Sequence, residues 1–214
     1  MTDTAAPLHA TSRSARTRER LLDAAFDTFA QEGFAASTVE AISERAGFSR
    51  GAFYYNFSSK EELFLALIER SLDRRLGTLD QAATITSFFE GLGGDDDRLL
   101  DLMRVQGEED DLKWVMVVTE FRLHAIRGRD TEVMQRFDRL FATVTDELAA
   151  RFSERAEAAG ATLVVPAGAL ASIVVGVYID VVMQAAVAQL DPAAGKRLMA
   201  ERVVAVLRGL VRES

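Results

Sequence analysis

Residues 37–57 read STVEAISERAGFSRGAFYYNF, and this stretch decides how the rest of the chain is to be understood. Ser37 with Glu40 three residues on has the pattern of a capping box that opens a short helix. Ile42 and Ala46 follow at the spacing of one inward helical face. Gly47 accepts the left-handed backbone that a sharp reversal needs, and Ser49 is placed to cap a second short helix. On that second helix Phe53 and Phe57, four apart, point together into a core. Arg50, Gly51, Tyr54 and Tyr55 are left on the opposite face. One helix braces while its neighbour offers an arginine, two tyrosines and a bare glycine to an anionic partner. This is the pattern of a helix-turn-helix.

The surrounding sequence extends the pattern. Residues 17–68, TRERLLDAAFDTFAQEGFAASTVEAISERAGFSRGAFYYNFSSKEELFLALI, resemble the DNA-binding domain of the TetR (tetracycline-repressor-like) family from end to end. The similar elements are the first helix LLDAAFDTFAQEGF, the helix-turn-helix, and FYYNFSSKEEL, which opens a fourth helix. About a quarter of the chain carries the resemblance; the remainder shares only helical character and length. The fold expected is all-α, with an N-terminal three-helix helix-turn-helix domain and a C-terminal helical domain for ligand binding and dimerisation. The boundaries expected are 1–15 for a polar, disordered arm, 16–62 for DNA binding, and 63–214 for effector binding and dimerisation.

Composition agrees with a helical protein. With 49% hydrophobic residues and three prolines among 214, there is material for a sizeable core and little to break helices. The chain has no cysteine, which excludes disulfides and thiol redox sensing. His9 and His124 are far apart, and the acidic runs lack EF-hand spacing, so neither a metal nor a cofactor is expected. There is no glycine-rich phosphate loop, no Ser or Cys nucleophile motif, and no histidine spaced usefully from acids, so no enzyme is expected. No charged segment followed by an apolar run opens the chain, which predicts a cytoplasmic protein.

The net charge of −8 looks wrong for a DNA binder until it is divided. Residues 1–60 hold seven basic and seven acidic side chains, whereas 90–111 holds nine acids against Arg98 and Arg104. Steering depends on the potential within roughly a Debye length, about 8 Å at physiological salt. Distal acidity therefore turns the neutral reading head towards a duplex.

Within the helix-turn-helix, Arg50 can make a bidentate contact to guanine O6 and N7. Gly51 allows close approach to base edges, Ala52 offers a methyl to thymine, and Tyr55 points the same way one turn on. Thr38 at the start of the first short helix is a candidate phosphate contact. The resemblance implies phosphate contacts from Tyr54 and Lys60. It also marks a departure at Asn56, where the family most often has histidine; an asparagine amide still donates to phosphate. Arg13, Arg16 and Arg18 suit either an arm reaching phosphates or a solvated helix start.

Further helices are expected from about Asp111 to Arg127, from Thr131 to near Gly160, from about Pro166 to Gln189, and after Pro192, with breaks at Gly91–Gly94 and Gly107. Residues 161–179 carry no charge over nineteen positions, long enough to raise the question of a membrane span. Asp180 follows directly, Pro166 and Gly168 interrupt the start, and Gly168, Ser172, Gly176, Asp180 and Gln184 recur every four residues. A small-to-polar ridge lets another helix approach closely. The reading is a subunit interface, Gly168, Ser172, Gly176 and Gln184 forming the contact, and no membrane. The resemblance implies the same, a homodimer built on the last two long helices.

The resemblance also implies a pocket for a small, lipophilic effector in the distal helices. Met103, Trp114, Val117, Phe121, His124, Phe141, Tyr178 and Asp180 are its candidates, although aromatic stripes at helical spacing also serve as core. Asp180, amid apolar sequence, needs a partner, either across the interface or in the pocket. The expected function is a ligand-responsive regulator, a repressor that binds a palindromic operator in double-stranded DNA as a dimer. A transcriptional activator, or a helical small-molecule binder or enzyme without specific DNA reading, stands as the alternative.

Overall fold

A computed structural model describes residues 8–81, 108–129 and 131–213. The described residues form helices α1 (Leu8–Glu32), α2 (Val39–Ala46), α3 (Arg50–Asn56), α4 (Lys60–Gln81), α5 (Glu108–Gly128), α6 (Thr131–Ala158), α7 (Ala167–Val187) and α8 (Pro192–Leu210). A short antiparallel ribbon of β1 (Ala161–Leu163) and β2 (Val211–Glu213) completes them, with Ala161 opposite Glu213 and Leu163 opposite Val211. The fold is all-α but for this ribbon, which the periodicity of the sequence does not announce. α1 begins at Leu8, so residues 8–15, read from sequence as part of a polar arm, already belong to the helix. The turns expected at Gly91–Gly94 and Gly107, and Met103, lie outside the described residues.

Two compact units emerge, one from Met1–Ser71 with Met116–Phe137, the other from Leu72–Val115 with Asp138–Ser214. In the first, α1 ends as its sequence dictates. Gly33 takes a left-handed φ of 79° and its N–H closes the helix on Phe29 O at 2.9 Å. Phe34 then turns inward against Phe29, ring centroids 5.2 Å apart. Phe64 of α4 and Phe121 of α5 join it, stacked on each other at 3.7 Å and 10°, with Phe121 edge-on to Phe34 at 4.9 Å. Arg70 of α4 reaches back to Glu19 and Asp23 of α1, each at 2.8 Å.

Sequence reasoning missed the role of Glu120. Its Oε2 accepts from the Phe34 N–H at 3.2 Å, and a Cβ on Gly33 would lie 2.7 Å from that oxygen. Gly33 is required by its backbone angle, while the carboxylate near it is the end of a flexible side chain that can shift. His124, one turn on, is exposed, its ring 4.9 Å from Phe34. Glu120 is thus a buttress of the α1–α2 turn.

In the second unit, Leu148 and Phe152 of α6, Leu170 and Val181 of α7, and Val203, Val204 and Leu207 of α8 share one core. Asp191 caps α8, its Oδ1 accepting from Ala194 N at 2.8 Å, and Pro192 occupies the first turn. α7 buries little for so apolar a helix. It is long and apolar enough to cross a membrane by length and composition, with mean hydropathy 2.0, yet 17% of that window is buried.

Candidate nucleic-acid interface

The helix-turn-helix forms with one change in its caps. Thr38, not Ser37, caps α2, its Oγ1 accepting from Ala41 N at 3.1 Å. Ser37 is buried instead, donating to Gly33 O at 2.6 Å. The connection from α1 places residue 37 inside, where its hydroxyl finds a carbonyl, and the cap passes to the next residue. Thr38 keeps its hydroxyl hydrogen for another acceptor, so the capping role and a phosphate contact are compatible. Glu40 is released from the expected capping box and lies 2.7 Å from Arg50.

The turn follows expectation. Gly47 has φ 73° and its N–H returns to Glu44 O, while Phe48 N donates to Ser43 O, both at 2.9 Å. Ser49 caps α3, accepting from Ala52 N at 3.3 Å. Phe53 and Phe57 are buried with rings 5.9 Å apart. Cations of α1 clamp the motif from behind, Arg20 over Phe48 at 4.8 Å and Arg18 over Phe57 at 5.0 Å. Arg18 is thus spent on packing, whereas Arg16 is exposed.

Opposite that buried edge lie the expected readers. Tyr55 is 81% exposed and Tyr54 51%; Gly51 is exposed, Ala52 half-buried, and the Arg50 side chain 61% exposed. A tyrosine that far out of water-excluded packing has its ring face and hydroxyl available to a partner. Asn56 is half-buried, its amide donating to Ala52 O at 2.8 Å and its Oδ1 accepting from Ser14 at 3.5 Å. It ties the end of α3 to α1, which uses part of the donor capacity that a phosphate contact would need.

Lys60 departs most from its expectation. Its Nζ donates to Phe34 O at 2.7 Å and Ser37 O at 2.8 Å and sits 4.4 Å from the centre of the Phe34 ring. Burial pulls the ammonium below its ordinary value of 10.5, with Glu61 pushing back. Two of its three N–H donors hold the α1–α2 turn, so the geometry gives Lys60 an inward, bracing task. Beside it, Ser59 caps α4, accepting from Glu62 N at 3.1 Å. The Glu62 carboxylate reaches back to Ser58, accepting from its N–H at 2.6 Å and from its hydroxyl. Those hydrogen bonds hold Glu62 below the ordinary carboxylate value of 4.5.

Lys60→Met keeps the apolar stem and removes both carbonyl contacts. Thermal and urea unfolding should show a loss of about 1–3 kcal/mol, while the slope of log affinity against log salt for duplex DNA stays as it was. A slope flatter by about 0.9 with unchanged stability would restore the phosphate contact.

The other expected residues disperse. Trp114, Val117 and Phe121 are buried, Phe141 and Tyr178 half-buried, and Asp180 exposed. Phe121 stands in the aromatic core of the first unit. Asp180 is paired with Arg202 of α8 at 2.5 Å, and Arg202 also donates to Gln184 at 2.6 Å. Gly168, Ser172, Gly176 and Gln184 all lie on the exposed side of α7, and among the described residues nothing outside its own stretch of helix lies within 4 Å of a Cβ built on Gly168 or Gly176. Among the described residues no group of three His, Cys, Asp or Glu converges on a metal position.

A capped two-helix motif with an exposed Arg–Tyr face is a helix-turn-helix. Residues 21–67 match the sequence profile of the family described as "Bacterial regulatory proteins, tetR family". That likeness covers the helix-turn-helix and its flanking helices, about a fifth of the chain. The chain is 38% identical over 84 residues to the HTH-type transcriptional regulator YfiR of Bacillus subtilis, covering 39% of this chain and 41% of that protein. It is 39% identical over 70 residues to the HTH-type transcriptional activator FasR of Mycolicibacterium smegmatis, covering 33% of this chain and 32% of that one. The chain thus matches less than half the length of these relatives. A TetR-family regulator structure from Mesorhizobium loti superposes with a TM-score of 0.64 at 21% identity, over 91% of this chain and 96% of that one. The fold is thereby shared well beyond the helix-turn-helix.

Proposed function

We propose that this chain is an effector-responsive transcriptional repressor, a cytoplasmic regulator and not an enzyme, which binds a palindromic operator as a homodimer. The observation that carries the reading is α3, with Phe53 and Phe57 buried on one side and Arg50, Tyr54 and Tyr55 exposed on the other. Two such helices enter successive major grooves about 34–36 Å apart. Arg50, Gly51, Ala52 and Tyr55 meet base edges; Thr38, Tyr54 and Asn56 meet phosphates, which set register and strength. Occlusion of a promoter gives repression. The effector is small and lipophilic, with Phe141 and Tyr178 retained as candidate contacts. It releases the operator by preferring a conformation with mismatched head spacing, since equal affinity for both states shifts nothing. α4 and α5, which contribute residues to both compact units, carry that change to the reading head.

The test is sequencing of genomic fragments retained by the purified chain, with an Arg50→Ala, Tyr54→Ala double variant as control. Enrichment of a few palindromic promoter sites, lost in the variant, supports the reading; equal retention of everything overturns it. For Arg50→Ala alone, discrimination between the enriched site and a scrambled duplex should fall by about 1–3 kcal/mol per half-site. A second reading, activation, is favoured by the relative FasR, which is named an activator. A promoter reporter separates the two by the sign of its response.

A further inference from the structure

Glu40 is an odd neighbour for a residue that reads DNA. It sits in the first turn of α2, where the expected capping box would occupy it, but Thr38 takes the cap and Glu40 caps nothing. Its carboxylate instead crosses to the first residue of α3, with Oε1 2.7 Å from Arg50 Nη1. Both side chains are more than half exposed, 61% for Arg50 and 54% for Glu40. Such a pair contributes little to folding, and the motif is already held by two caps, the Gly47 turn and the buried phenylalanines. Its consequence lies in binding.

We propose that Glu40 is a positioning and specificity-determining residue that acts through Arg50; this rests on the reading of Arg50 as a base contact. Against an arbitrary duplex, an arginine already neutralised by a carboxylate displaces few counterions and gains little from a phosphate. Glu40 itself is repelled by the backbone. Against a guanine the balance differs. The carboxylate engages Nη1, so the edge formed by Nε and Nη2 remains to donate to O6 and N7 together, in the fork geometry that arginine presents rigidly. Glu40 thus aims the guanidinium and removes its attraction to phosphates at large. The pair raises the ratio of operator to non-operator affinity by lowering the second, the larger problem for a reader surrounded by competing sites.

Glu40→Gln in the full chain tests this, since glutamine keeps the length and one acceptor but removes the charge. The probes are the duplex enriched by the unaltered chain from a randomised library and a scrambled duplex of equal composition. Affinity for the scrambled duplex should rise, with its log–log salt slope steeper by about 0.9, one additional phosphate contact. The operator-to-scrambled ratio should fall by about tenfold, the lower range of what one bidentate base contact supplies. In an Arg50→Ala background the fall in the operator-to-scrambled ratio should vanish, leaving only an equal gain on both duplexes from the lost repulsion, as a double-mutant cycle requires of a residue acting through its partner. With Arg50 in place, equal gains on both duplexes would overturn the proposal and leave Glu40 a mere source of repulsion. So would a fall in the operator-to-scrambled ratio that persists without Arg50. If Arg50→Ala alone leaves discrimination intact, the base-reading role fails first and the proposal with it. Circular dichroism and melting of each variant separate these outcomes from misfolding.

Discussion

Phe121→Ala should destabilise the protein by about 3–5 kcal/mol and abolish DNA binding, although residue 121 is not on the face offered to DNA. The ring is completely buried, stacked at 3.7 Å on Phe64 of α4 and edge-on at 4.9 Å to Phe34. Truncation leaves a ring-sized cavity in a layer where relaxation is limited by three other rings, and aromatic pairing adds about 0.5–1.5 kcal/mol beyond the area lost. Phe34 is the residue whose N–H and carbonyl are held by Glu120 and Lys60. Loosening its seat therefore frees the α1–α2 turn, and α2 with its cap at Thr38 follows. Urea unfolding followed by circular dichroism gives the stability change; gel shift against an enriched operator gives the binding. Phe121→Leu, which retains much of the apolar volume, should recover most of both. A loss below about 1 kcal/mol, the size of an ordinary substitution, would mean that α5 is not part of the core of the reading head.

The helix-turn-helix is legible because its signals are local. A glycine at the left-handed position, a serine before each short helix and phenylalanines four apart are read within a few residues. The motif fails locally in one respect, the cap. Ser37 and Thr38 have nearly equal intrinsic claims, and burial of residue 37 by the incoming chain decides between them. Lys60, Glu120 and Asp180 illustrate what a sequence does not carry. Lys60 bonds residues 26 and 23 positions away and Glu120 one 86 away, and the answer to Asp180 comes from Arg202, 22 positions on. No periodicity links such pairs. The end of α5 falls within a residue of the expected Arg127. Gly128 lies within the helix, and the residue with positive φ is Arg129 at 55°. The β1–β2 ribbon is too short for alternation to be recognised, three residues on each side.

Gly176→Leu should convert a dimer to monomers and reduce operator affinity by orders of magnitude, without a loss of protomer stability. Gly176 lies on the exposed ridge of α7, and among the described residues nothing outside its own stretch of helix lies within 4 Å of a Cβ placed there. A leucine is therefore tolerated by the chain itself, and any effect must come from what lies against that ridge. The window that includes Gly176 has mean hydropathy 2.0 with 17% of it buried, and Ile173, Met183 and Val187 of the same helix are 40%, 41% and 83% exposed. Apolar surface so extended is normally covered by a partner. Asp180 with Arg202 and Gln184 supplies a polar cluster beside it, which suits an interface between subunits better than hydrocarbon, where an ion pair is costly. Small residues on both copies let two helices close to within contact distance, and a leucine side chain wedges them apart. One head per molecule then contacts one half-site, and the gain from joining two binding events on one duplex disappears. Sedimentation velocity at a fixed concentration reads the assembly, melting reads the protomer, and gel shift reads the loss on a full palindrome. Retention of the dimer by the variant would take the ridge out of the interface. Partition of the unaltered chain into detergent-extracted membranes would assign α7 to lipid instead.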